Sequence, residues 1–105
     1  MHKLDAWRAR IDATRTEREL LAVIGAYCDG WLPSELSQLP AHCQDCRPAD
    51  GAQLGRLAVD FKRAELAHSG SPAVASLLRD MSQTFAYAAE RLRVFHHPSL
   101  KQVGD

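Results

Sequence analysis

SPAVASLLRDMSQTFAYAAERLRVFH, residues 71–96, is the stretch that decides the fold. Val74, Leu78, Met81, Phe85, Ala88, Leu92 and Phe95 follow one another in steps of four and three, the spacing of a single face on a helix with 3.6 residues per turn. Ser71 is suited to the N-cap and Pro72 to the first helical position, so the helix is expected over 72–96. Leu77, Thr84 and Ala89 flank the series and widen it beyond a two-stranded coiled-coil seam, to the face of a helix with several neighbours.

Upstream, Gly70 closes a helix expected over 51–69, whose face carries Leu54, Leu57, Ala58, Phe61 and Ala64 up to His68. The two-residue joint Gly70-Ser71 forces that helix to lie antiparallel to the last one or sharply angled to it. Three further segments complete the series. Leu4, Trp7 and Ile11 define a helix over 3–13, which the polar Thr14 interrupts. Thr16 with Glu19 reads as a capping box opening a helix over 16–29, with Leu20, Val23, Ile24 and Tyr27 inward and Gly30 at a left-handed C-cap. Pro33 starts a short helix over 33–39 that Pro40 stops. Asp50 with Gln53 reads as a second capping box, residues 40–50 as a loop and 98–105 as a short tail. No segment alternates with period two, so the chain is expected to be all-α, an up-and-down helical bundle of four to five helices in one domain.

Composition narrows the function classes. Thirteen basic residues balance thirteen acidic ones, so no cationic surface for nucleic acid or anionic lipid is indicated. Arg8, Arg10, Arg15 and Arg18 are interleaved with Asp5, Asp12, Glu17 and Glu19, which cancel their field. No apolar run approaches the ~20 residues of a membrane span. Three cysteines cannot all pair, and the charged start carries no apolar leader; both favour a reducing cytoplasm.

The residues with chemical potential are few. Cys43 and Cys46 have the two-residue spacing of a zinc knuckle, which is half a site. Cys28, His42, His96 and His97 are the available further ligands, the last two because an overhanging final helix brings them toward the cysteine loop. Without a second knuckle, no metal or other cofactor is expected, and zinc is the alternative. A redox dithiol lacks the preceding strand such motifs use. His68 reads as a helix-end residue rather than a buried base oriented by Asp60 or Glu65. No nucleophile elbow, phosphate loop or paired inward carboxylates occur, so catalysis is not expected.

Apolar residues on faces that a bundle leaves polar carry more information. Val59 and Leu66 are seven residues apart, off the core stripe of their helix, and so are Tyr87 and Val94 on the last helix. They mark a surface for a protein partner or a second copy, unless the first helix or the tail covers them. A small interaction or regulatory module is therefore the expected function, with a zinc-organised helical protein as the alternative.

Overall fold

The computed structural model describes residues 3–31, 33–44 and 47–96, and among them there is no strand. The elements are α1 (Lys3–Asp12), α2 (Glu17–Asp29), the single turns α3 (Pro33–Leu36) and α4 (Ala41–Gln44), α5 (Ala52–Ala67) and α6 (Pro72–His96). The fold is all-α, with α6 touching α1, α2 and α5. Its inward series supplies the centre of the core: Leu78, Met81, Phe85 and Ala88 have no exposed surface, while Val74 and Phe95 at the two ends are half-buried. Leu20 and Ile24 of α2, Leu54 and Phe61 of α5 and Ile11 of α1 close around them.

α5 and α6 form an antiparallel hairpin. Glu65 bonds Arg79 near the turn, the rings of Phe61 and Phe85 meet at 5.1 Å halfway along, and Gly51 lies against Leu92 at the far end. A Cβ on Gly51 would stand 2.6 Å from the Leu92 side chain and 2.8 Å from the Glu17 carboxylate, so glycine permits this approach of three elements.

α1 and α2 attach along another line of α6. The Tyr27 hydroxyl donates to Asp80, and the Tyr27 ring meets Trp7, Trp31 and Phe85 edge-on at 5.4, 5.8 and 6.3 Å. Burial and the Asp80 carboxylate push the phenol far above its ordinary pKa, against the Thr84 hydroxyl and the Trp31 indole, so Tyr27 remains a neutral donor. Two and three turns beyond Asp80 on α6, the Tyr87 hydroxyl donates to the Asp12 carboxylate at 2.7 Å and Arg91 donates to the Thr14 carbonyl. Arg91 thereby places a cation at the C-terminal end of α1, where the helix dipole favours it. The Arg8 guanidinium lies 5.3 Å from the centre of the Tyr87 ring. The spacing of Arg8 and Asp12 reads as a solvated pair; instead both engage Tyr87.

The helix ends differ in detail from the expected ones. Thr16 accepts from the Glu19 N–H at 3.1 Å, but Glu19 accepts from Arg15, one residue earlier than a capping box requires. Asp50 and Gln53 repeat that offset, with Gln53 accepting from Ala49. Gly30 is right-handed, at φ −74° and ψ −13°, and its N–H closes a tightened last turn on Ala26 and Tyr27. The expected helix over 33–39 is shorter because Ser37 Oγ and Gln38 Nε2 both donate to the Ser34 carbonyl, competing with the next helical bond. The expected loop over 40–50 includes the turn α4, begun by the Cys43 N–H on the Pro40 carbonyl and held by the buried Leu39 and Cys43.

Truncation separates the two environments. Phe85→Ala is expected to cost about 3–5 kcal/mol and Leu92→Ala about 2–5 kcal/mol in urea denaturation. Leu66→Ala, on the surface, should stay within about 0.5 kcal/mol of the parent. Near-neutral effects at Phe85 and Leu92 would show that the buried face is misassigned.

Candidate functional site

One line of residues along α5 and just past its end is open to solvent: Gly55, Val59, Lys62, Leu66 and Ser69 are all exposed and step by four and three. Val59 retains 50% of its surface and Leu66 65%. Alongside runs an α6 strip of mainly small residues, Ala75, Ser82 and Ala86, with Arg79 among them. Two clefts lie end to end between the strips. One, of about 390 Å³, is lined by Leu66, Ser69, Pro72, Ala75, Ser76 and Arg79 with Glu65 at its edge. The other, of about 320 Å³, is lined by Ala58, Val59, Lys62, Ser82, Gln83 and Ala86.

An ion triad separates the clefts. Glu65 is buried, with Oε2 bonded to Arg79 Nε at 2.8 Å and Oε1 to Lys62 Nζ at 3.3 Å, while both cations stay more than half exposed. The Arg79 bond holds the Glu65 carboxyl below the usual carboxylate range against the opposing effect of burial, and Lys62 adds to the lowering. Glu65 was missed as a functional residue although its signal was present: it continues the Leu54, Ala58, Phe61 series, and a carboxylate on a core line demands a cation. Lys62 three residues before it supplied one candidate.

The second apolar line lies elsewhere. Tyr87 is half-buried beneath α1, bonded to Asp12 and covered by Arg8, so the chain itself occupies its ring and hydroxyl. Val94 remains exposed beside a shallow cleft that Asp12, Tyr87, Glu90 and Arg91 share with it. The Val59–Leu66 and Tyr87–Val94 lines therefore sit on different sides of α6 and do not merge.

Of the candidate zinc ligands, Cys46, His97 and the side chains of His42 and His96 lie outside the described residues. Cys28 and Cys43 are both buried. Burial, with the Asp60 carboxylate, pushes the Cys43 thiol up, opposite to the lowering that makes a reactive or ligating thiolate. Among the described residues no three His, Cys, Asp or Glu side chains converge on a common point. His68 is exposed at the C-terminal end of α5, where its backbone N–H donates to the Ala64 and Glu65 carbonyls. No described helix is long and apolar enough to cross a membrane.

The triad sets an expected pH dependence. Because the folded-state pKa of Glu65 is lowered, its stabilising contribution is complete above the ordinary glutamate value of ~4.3 and disappears as pH falls through the folded value. Glu65→Gln should thus lose about 1–3 kcal/mol at neutral pH, and the gap from the parent should close in acid. Denaturation curves showing a gap independent of pH would contradict this role for the carboxylate. Comparison of the chain with protein-family models, curated proteins and solved structures finds no match.

Proposed function

We propose that the chain is a small protein-interaction module without catalytic activity of its own, which receives a protein partner on the outer face of the α5/α6 hairpin. The observation that carries this reading is the exposure of Val59 and Leu66, seven residues apart, each beside a cleft floored by small side chains. Isolated exposed apolar residues are ordinary, but two in register, each beside one of two aligned clefts, match the way an amphipathic helix is received. The Tyr87–Val94 line, expected to serve the same role, is a weaker part of the proposal because α1 engages Tyr87. Three cysteines, an odd number that cannot all pair, support a reducing cytoplasmic setting.

Replacing Val59 and Leu66 together by glutamate should leave the melting transition within a few degrees of the parent, since both side chains face water. The same variant should lose the partner that the parent retains, because charge at an interface core is poorly tolerated. If it unfolds, the residues are internal. If it keeps every association of the parent, the face is not a docking surface.

The module requires no metal in this reading. Purified protein is expected to hold far less than one zinc per chain, and a chelator should leave the melting temperature unchanged, because structural metal binding would appear as folding energy. Stoichiometric zinc would overturn this and direct attention to Cys28, His42, Cys43, Cys46, His96 and His97.

A further inference from the structure

We infer that the α5/α6 groove is built for an amphipathic helix that carries a carboxylate midway between two apolar anchors, rather than for a second copy of this chain; the inference rests on the docking face proposed above. The groove is not uniformly apolar. Its two clefts are separated by Lys62, Glu65 and Arg79, which bridge it from α5 to α6. Two cations share one carboxylate there, and among the described residues the ion pairs of both cations are to Glu65 alone. Both oxygens of Glu65 are engaged, whereas the lysine ammonium has three donors and the guanidinium five. Among the described ion pairs, the middle of the groove therefore carries two cations on one carboxylate, with spare donors, while its ends, at Val59 and Leu66, are apolar.

Val59 and Leu66 are seven residues apart, about 10 Å along the helix. A partner helix matching that span would place apolar side chains at positions i and i+7 and an acidic one at i+3 or i+4, all on one face. Its carboxylate would meet Lys62 and Arg79 and neutralise the excess that apolar cover would leave desolvated. A second copy does not meet this requirement. A two-fold pairing of α5 with itself that brought Val59 of each chain to Leu66 of the other would bring Lys62 close to Lys62, and among the described residues no carboxylate besides Glu65 lines the two clefts to lie between them.

Two synthetic helical peptides test this on the full chain. Each has leucines at i and i+7; one carries glutamates at i+3 and i+4 and its twin carries lysines there. Fluorescence anisotropy should show the glutamate peptide binding at least about tenfold more tightly, with a preference that weakens as salt is raised. Lys62→Gln leaves Arg79 on Glu65 and adds no like charge beside it, so it should fold as the parent does and lose much of that preference. Equal binding of the two peptides by the parent overturns the inference, as does binding of neither, and as does sedimentation of the free chain as a dimer that Val59→Glu with Leu66→Glu dissociates. Equal binding that the same double variant abolishes would leave the docking face standing and remove only its charge requirement. If neither peptide binds and that variant retains every association of the parent, the docking face falls as well.

Discussion

The hydrogen bond from Tyr27 to Asp80 is the constraint on which the arrangement of the four long helices depends. A phenol taken into an apolar interior costs several kcal/mol unless its hydroxyl is partnered, and Asp80 supplies the acceptor from α6. With that oxygen fixed, the Tyr27 ring has one placement, and the neighbouring rings stand edge-on to it: Trp7 from α1, Trp31 beyond the end of α2, and Phe85 from α6. Phe85 in turn meets Phe61 of α5. Rings from α1, α2, α5 and α6 are thus joined through one phenol, and a shift of Tyr27 would be felt by all of them.

α6 has two seams of different chemistry. Toward α5 it presents Leu78, Met81, Phe85 and Leu92, a surface whose attraction is apolar and largely without direction. Toward α2 and α1 it presents Asp80, Thr84, Tyr87 and Arg91, which recur with the same four and three spacing; Asp80 bonds Tyr27, Tyr87 bonds Asp12 and Arg91 bonds the Thr14 carbonyl, with Thr84 buried among them. Apolar contact tolerates small sliding, whereas donors and acceptors fix register. This division suits α1, in which Ile11 is fully buried and Trp7 half-buried, and which gains from polar fastening what it lacks in apolar face.

The sequence made the apolar seam legible and left the polar one hidden. Ser71-Pro72 and the unbroken Val74 to Phe95 series located α6 to the residue, because capping chemistry and periodicity act locally. Val59 and Leu66 were readable as outward residues for the same reason: their angle from the Leu54–Phe61 stripe follows from helix geometry alone. The sequence left open whether Tyr87 faces a partner or is covered by the first helix, because its hydrogen-bond partner Asp12 lies 75 residues away and nothing local distinguishes an outward tyrosine from one bonded to another helix. Arg79 could be assigned to Glu65 only once the hairpin register was known. The ends of α2 and α3 diverged where side-chain bonds at Ser34 and a tightened turn at Gly30 outcompeted the commonest terminations.

The position of the Lys62–Glu65–Arg79 triad also bears on why an exposed apolar line is tolerable. A continuous strip holding Val59 and Leu66 would be a liability, since apolar patches of a few hundred Å² associate without discrimination. Ions set between the two side chains divide the strip, and any cover that lacks a carboxylate must desolvate two cations sharing one. The burial of Glu65 anchors this division: its bonds to Arg79 and Lys62 tie the two exposed cations to the hairpin. On the proposed reading the triad would raise the cost of wrong partners by the same charges that would reward an acidic one. Specificity would then come from what the centre of this face rejects, and affinity from the two clefts at its ends.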